Sequence, residues 1–437
     1  MKKISITEFG RIKRSEINQK ALKRLQKFDE RHANSSHQFI FDWSHVTYLR
    51  AQNYVGVIQI PGLLIEILPK IDTSPIEKFY KFNGEDPLFV NAQHNLLYML
   101  SFTKKIPIRE RDLASLRLQK MPLLEALASI FVEKLLKEIR KGLDHSYVYR
   151  EENSPYFKGK LLINKHIAHN IVHQEKVYIG YNEFLADTWL NRILKAACLK
   201  LLTMVETVRI QKRLREALLY FTDISKKNIQ NHHFKKVTFT RNNRRFETLF
   251  DFSKAILLDS SPSPSKGKDK TFSLLFPMET LFEDFIARFI KKYCHDFNLS
   301  SQSIHIQALK KGKWLLRKSD NSGAFRLKPD LIIDSEDKKP QLILDTKWKH
   351  LKTDQEDSKN GVSQADLYQS YAYANRYNSP DNILLYPKID GVTPKRYRLD
   401  GKFNKNIRIE FINLNFNLSK NRAAFLNELK SIIDTNI

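Results

Sequence analysis

The chain has 437 residues, with 74 Lys and Arg against 48 Asp and Glu, a formal net charge of +26. Hydrophobic residues make up 42%, and only 13 glycines and 15 prolines occur, which excludes a low-complexity or collagen-like chain. At this length about two to four domains are expected. Two cysteines, Cys198 and Cys294, exclude a disulfide framework and a CxxC zinc site and fit a reducing cytoplasm. No apolar run approaches the roughly 18–20 residues of a membrane span. The opening MKKISITEFGRIKRSE lacks the apolar core of a signal peptide. So strong a positive balance points to a polyanion, and nucleic acid is the usual one, because neutralised phosphates release counterions. A lysine-rich proteome would give the same excess.

In chain order, residues 1 to about 72 read as strands. HQFIFDW, HVTYLRAQ and NYVGVIQI are short and rich in aromatic or β-branched residues, and Pro61-Gly62 marks a turn before LLIEILPKI. From about 91 the pattern becomes helical. NAQHNLLYMLSFTKK and LLEALASIFVEKLLKEIRKGL repeat apolar residues three and four apart. The second ends in Lys137, Arg140, Lys141 and Gly142, a helix stop.

Residues 156–270 hold 22 Lys and Arg against 10 Asp and Glu. One helix is expected from about Asp187 to Leu202 and another from Val208 to Tyr220. The run NHHFKKVTFTRNNRRF sets Lys235, Lys236, Arg241, Arg244 and Arg245 around Phe234, Phe239 and Phe246, a mixture that suits a DNA-binding surface. A solvated amphipathic connection would read the same way. SSPSPSKGKDK, residues 260–270, has nothing to bury and reads as a linker. The expected organisation is multidomain α+β. It comprises a β-rich amino-terminal domain (1–90), a helical, mixed and basic middle (91–259), the linker (260–270) and a carboxy-terminal α/β domain (271–437).

After the linker, PMETLFEDFIARFIKKYCHDF places Leu281, Phe282, Phe285, Ile286, Phe289 and Ile290 on one helical face. FRLKPDLIIDSEDKKPQLILDTKWKHL then reads as a hairpin, with DLIID and QLILD flanking the polar SEDKKP. Pairing the strands about the turn sets Asp330 opposite Asp345 at the open end. Alternation points Lys347 the same way as Asp345. Two carboxylates can hold Mg²⁺, whose bound water is acidified, and a lysine can orient or deprotonate that water and offset developing charge. The spacing matches the PD-(D/E)xK nuclease motif. By itself the match also fits a hairpin with solvated charged ends. Glu283, in the preceding helix, is a further candidate metal ligand, or else a solvated helix residue. In the following helix, ADLYQSYAYANRY, Gln369 and Tyr373 are four apart and share a face. This is the QxxxY pattern of RecB-like nucleases, and a Tyr-rich packing face is the plainer alternative.

These segments together resemble the McrC family, the nuclease subunits of McrBC modification-dependent restriction systems. RLKPDLII, LILDTKWKHL and DLYQSYAYA resemble the catalytic core of that family. LFEDFIA, VGVIQIPGLLIEILPKI, NLLYML, FKGKLLINKHI and DTWLNRILKAA resemble its other parts, in islands from about residue 54 to 377. The resemblance implies a restriction-endonuclease-like carboxy-terminal domain cutting modified double-stranded DNA in the cytoplasm. It implies Asp330 and Asp345 as metal ligands and Lys347 as the catalytic lysine. It also implies a hexameric McrB-like AAA+ GTPase ring as partner, docked by the amino-terminal part and stimulated in GTP hydrolysis. GTP would then be bound by the partner, and this sequence has no GxxxxGK[ST] loop. Two other readings are a RecB-like repair nuclease without a GTPase, and a non-catalytic DNA-binding adaptor that activates such a ring.

Overall fold

The computed structural model describes residues 2–72, 87–103, 106, 108, 110, 113, 121–172, 175–258, 272–308, 312–349, 351, 361–399 and 405–434. The expected linker at 260–270 lies outside them. The chain is a mixed α/β multidomain protein that divides into two compact units, one of residues 1–126 with 266–437 and one of residues 127–265.

In the first unit, a four-stranded sheet runs in the order Lys2–Thr7, Leu63–Leu68, Tyr54–Ile60, Phe272–Pro277. The apolar runs read as strands around Pro61-Gly62 form this hairpin, with Ile60 paired to Leu63. Gly62 has φ +89°, a value the turn requires and glycine supplies. The fourth strand comes from beyond residue 270 and pairs antiparallel with Tyr54–Ile60. At Gly56, a Cβ would fall 2.0 Å from the Leu274 carbonyl oxygen, so the two strands approach over a glycine.

One amino-terminal expectation is corrected. Residues 1–72 are not all strand and turn, because Gln19–Ser36 is an 18-residue helix. Asn18 caps it by accepting from the Lys20 N–H at 2.9 Å. Ala21 and Leu25 lie buried with Leu22 and Phe28 against Ile12, Phe41 and Leu49. The helical spacing of those four residues is present in the sequence, and the β-rich segments on either side mask it.

The same unit holds a six-stranded mixed sheet, in the order Ile304–Ile306, Leu331–Asp334, Pro340–Thr346, Asp381–Pro387, Asn406–Ile412, Lys395–Arg398. Pro340–Thr346 pairs parallel with Asp381–Pro387, and helix Gln364–Tyr377 lies between them in sequence, as a parallel crossover requires. Leu331, Ile332, Ile333, Leu342, Ile343 and Leu344 are all buried, which is why neither hairpin strand alternates with polar residues. Helix Met278–Lys292 buries all six residues of its predicted apolar face. Phe285 and Phe289 stack or meet edge-on with Phe102 from helix Pro87–Phe102 and Phe425 from helix Arg422–Asp434. Buried Asn95 adds a polar tie, donating to the carbonyls of Leu414 and Phe416 and accepting from the Leu418 N–H.

The second unit contains helices Trp189–Leu202, Val208–Leu219 and Glu247–Leu258. The Thr188 side chain caps the first by accepting from the Asn191 N–H. This unit also holds a three-stranded sheet, in the order Ser146–Ser154, Val177–Leu185, Lys160–Leu161, which the sequence pattern does not predict. The first of these strands is exposed along nearly its whole length. Its sequence, SYVYREENS, lacks a buried face and so lacks the alternation that marks a strand. Among the described residues no helix is long and apolar enough to cross a membrane.

Candidate active site

The hairpin register is Leu331 to Leu344 and Ile332 to Ile343. Extended by one residue, it sets Asp330 opposite Asp345, at the end away from the turn, as the sequence predicts. Both carboxylates are buried, Asp330 at 8% and Asp345 at 3% exposure. Asp330 Oδ2 accepts from the backbone N–H of Thr346 at 2.7 Å and from its hydroxyl at 2.8 Å. Those bonds fix the first carboxylate on the strand that carries the second. Lys347 Nζ lies 2.5 Å from Asp345 Oδ2, a close ion pair. The backbone N–H of Lys347 donates to the Leu385 carbonyl at 2.8 Å, so its root is held by the neighbouring strand.

Electrostatics separates this cluster from the other end of the hairpin, where Asp334 is matched by His305 at 2.8 Å. Burial pushes the Asp330 carboxyl well above the usual carboxylate range, and the charges of Asp345 and Glu283 push it further. Burial also raises Asp345, opposed by Lys347 and assisted by Glu283 and Asp366. For Lys347, burial works against the charge, but Asp345 and Asp330 outweigh it, so its pKa rises and it is held as an ammonium. Two desolvated carboxylates facing each other with one cation are an unfavourable arrangement that another cation would relieve.

Glu283 is thus close enough for its field to be felt by both aspartates, and its Oε1 accepts from Gln307 Nε2 at 2.9 Å. Among the described residues no three His, Cys, Asp or Glu side chains converge into a ready-made metal cage. The donor set still fits a hard cation that keeps most of its waters, because such a cation needs only one or two carboxylates and both here are oxygen donors. Asp345 Oδ2 is a buried carboxylate oxygen whose near partner is the Lys347 ammonium, a cation at the place where a second could share it.

Gln369 and Tyr373 join the same cluster. Lys347 Nζ donates to Gln369 Oε1 at 2.9 Å, and Gln369 Nε2 donates to the Tyr373 hydroxyl at 2.8 Å. The tyrosine thereby orients the amide so that its oxygen faces the lysine. Two residues of the cluster escape the sequence motifs. Asp366 sits in the first turn of the same helix, takes Lys349 Nζ at 2.8 Å and 3.0 Å, and accepts from the Tyr386 hydroxyl at 3.2 Å. Lys349 lies two residues beyond Lys347, so the alternation that selects Lys347 also selects it. Ser363 caps that helix by accepting from the Asp366 N–H, a spacing that the sequence displays.

The five basic candidates Lys235, Lys236, Arg241, Arg244 and Arg245 belong to the second unit and are all exposed. Two of the three aromatics among them are withdrawn from solvent, and Phe239 is half-buried. Phe234 and Phe246 are buried, and Phe234 and Phe239 meet Phe250 edge-on at 5.7 and 5.3 Å. Interleaving in sequence here reflects a short segment with a core side and a charged side. Lys236 and Arg245 line a cavity of about 600 Å³ with Trp189, Arg192 and Asn243. Arg245 donates to the Gly142 carbonyl at 2.7 Å, and Lys236 Nζ lies 4.9 Å from the Trp189 ring centre.

A mixed α/β chain thus gathers two buried carboxylates and a lysine at the open end of one hairpin. Residues 49–387 match the family described as the McrBC 5-methylcytosine restriction system component, and the chain belongs to that family. It is 24% identical over 325 residues to the type IV methyl-directed restriction enzyme EcoKMcrBC of Escherichia coli (strain K12), covering 70% of this chain and 89% of that protein. Its fold resembles a chain in the half-complex of Thermococcus gammatolerans McrB AAA+ hexamers with bound McrC. There the TM-score is 0.70 at 20% identity, covering 99% of this chain and 100% of the other. A chain of the cryo-EM structure of the T. gammatolerans McrBC complex gives a TM-score of 0.53 at 21% identity, covering 66% and 87%.

Proposed function

We propose that this chain is the Mg²⁺-dependent DNA endonuclease subunit of an McrBC-like, modification-dependent restriction complex. The observation that carries this reading is the convergence of Asp330, Asp345 and Lys347 in a buried, mutually perturbed cluster. Burying like charges together is unfavourable for folding, and such arrangements concentrate at reactive sites. The geometry also supports a PD-(D/E)xK type of nuclease domain.

Asp330 and Asp345 would hold the metal, with Glu283 as an added carboxylate. When bound, the metal supplies an acidified water and neutralises charge on the phosphoryl oxygens. The chain's own residues do the positioning. The Thr346 N–H and hydroxyl lock Asp330 so that its remaining oxygen is free to face the metal. Lys347, held as an ammonium, offers N–H donors to the non-bridging oxygen where charge develops or to the attacking water. Gln369 and Tyr373 limit its rotamers, so those donors are oriented before substrate arrives.

The partner proposed is a hexameric AAA+ ring like the McrB AAA+ hexamers of the T. gammatolerans complex, and one that hydrolyses GTP. In this reading the ring binds GTP, this chain stimulates its hydrolysis, and the amino-terminal part of the chain docks on it. The substrate class is double-stranded DNA carrying a modified base, and the exposed cations at 235–245 are its backbone contacts in the second unit.

The test is cleavage of methylated DNA by the full chain assembled with an AAA+ GTPase encoded beside it, with Mg²⁺ and GTP. Asp345→Ala and Lys347→Ala should abolish cleavage and leave GTP hydrolysis intact. Unchanged cleavage in both variants would rule out the nuclease reading. Cleavage of unmodified DNA with metal and no nucleotide would favour a RecB-like enzyme instead.

A further inference from the structure

Directly after Lys347, the chain meets a residue from its opposite end. Trp348 is buried, and its indole N–H donates to Glu8 Oε1 at 2.8 Å. Glu8 follows strand Lys2–Thr7, is fully buried, and accepts on the same oxygen from the Lys70 backbone N–H at 2.9 Å. Its own backbone N–H donates to the Leu68 carbonyl, which continues the pairing of that strand with Leu63–Leu68. The other face of the contact is Phe282, which meets the Trp348 ring edge-on at 5.0 Å. Phe282 precedes Glu283 on helix Met278–Lys292. The indole is therefore held by a carboxylate of the amino-terminal sheet and by the helix that brings Glu283 to the aspartates.

A buried carboxylate is an expensive way to fix a tryptophan. An apolar side chain would fill the space, but it would not fix the direction of the indole N–H. What the carboxylate adds is directional: it sets the rotation of Trp348, and with it the backbone that leaves Pro340–Thr346 through Lys347.

We propose that Glu8 is a positioning residue for Lys347, acting through Trp348, so that the geometry of the nuclease site depends on the seating of the amino-terminal sheet. This rests on the nuclease reading above. It assigns the first eight residues a role in cleavage as well as in folding. It also ties the part of the chain proposed to dock on the ring, by one hydrogen bond, to the residue that follows the catalytic lysine.

The test compares Trp348→Phe, Glu8→Leu and Glu8→Gln in the full chain assembled with its GTPase partner, reading kcat and KM for methylated DNA. Trp348→Phe keeps an aromatic ring against Phe282 but removes the indole's second ring together with its N–H, so the Glu8 pair isolates the hydrogen bond. Glu8→Gln keeps an acceptor oxygen. Trp348→Phe and Glu8→Leu should lower kcat roughly 10- to 100-fold, as small misplacements of catalytic groups do, with KM changed by less than about twofold. Glu8→Gln should recover kcat to within about threefold of the parent. A parental kcat in Trp348→Phe would overturn the proposal. So would a Glu8→Gln variant as impaired as Glu8→Leu. Should Glu8→Leu fail to fold, Glu8→Met, unbranched and of glutamate's length, takes its place beside Glu8→Gln. Lys347→Ala, run in parallel, separates the two readings. If it abolishes cleavage while Trp348→Phe does not affect it, only the positioning role fails. If it leaves cleavage intact, the nuclease assignment and this proposal fall together.

Discussion

The hairpin end and the basic segment at 235–245 are both charged, and the structure treats them in opposite ways. At the hairpin, Asp330, Asp345 and Lys347 are drawn out of water and shift one another's ionisation. At the basic segment, five cations stay in water while Phe234 and Phe246 between them enter the core. Solvated charge is the cheap default for any surface, so its presence alone distinguishes little. Buried charge works against folding, and its persistence at one point is the stronger sign of chemistry.

The largest expected effect lies at the hairpin. Asp345→Ala or Lys347→Ala should reduce cleavage by roughly 10²–10⁴-fold or more, the range of general acid–base and metal contributions, with an unchanged circular dichroism spectrum. Retained cleavage would place the hairpin with the basic segment as ordinary charged structure.

Next comes a buried pair with no proposed chemistry. The fully buried Arg408 donates through Nε and Nη2 to Asp381 Oδ2 at 2.9 and 2.7 Å, across adjacent strands of the six-stranded sheet. Asp381→Ala removes the nearer carboxylate and leaves Glu410 Oε1 at 3.3 Å and the Ile432 carbonyl at 2.8 Å, so it should cost about 1.5–3 kcal/mol of stability in denaturant titration. A loss below about 1 kcal/mol would mean that this sheet tolerates buried charge readily, and would weaken the contrast between the two regions.

A third measurement uses pH. Burial pushes the Glu8 carboxyl up to about 8, partly offset by its hydrogen bonds from Lys70 and Trp348. The folded protein then holds this proton more tightly than the unfolded chain does. Between the ordinary carboxylate range and about pH 8, the folded state binds more protons, so stability falls as pH rises through that window. Glu8→Gln should flatten that part of the stability profile. An equally steep profile in the variant would assign the slope to other groups.

The smallest effects should lie in the basic segment. Replacing Lys235, Lys236, Arg241, Arg244 or Arg245 singly by Ala should change stability by less than about 0.5 kcal/mol. Removing a cation that neutralises one phosphate should reduce the salt-dependence slope of DNA affinity by about 0.9. Unchanged slopes in all five would leave these residues as solvated surface.

Much of the site was readable because its logic is local. Strand alternation and a symmetrical turn place Asp330 across from Asp345 and send Lys347 the same way, and the helical repeat puts Gln369 and Tyr373 on one face. Family resemblance then tied those segments to one function. The sequence by itself also determined the buried hairpin strands, the apolar face of Met278–Lys292 and the turn at Pro61-Gly62, since each follows from spacing within a few residues.

Tertiary structure decided the rest. It exposed the sheet strand SYVYREENS, which has no buried face to mark it in the sequence. It added Phe272–Pro277 to a sheet begun more than 200 residues earlier. It sent Phe234 and Phe246 of the basic segment inward. It also brought Glu8 to Trp348 and Gln369 to Lys347, by hydrogen bonds between side chains that no spacing rule connects. Periodicity encodes which face of an element is buried. Which distant element covers that face, and which buried polar atoms then find each other, is fixed only when the whole chain packs.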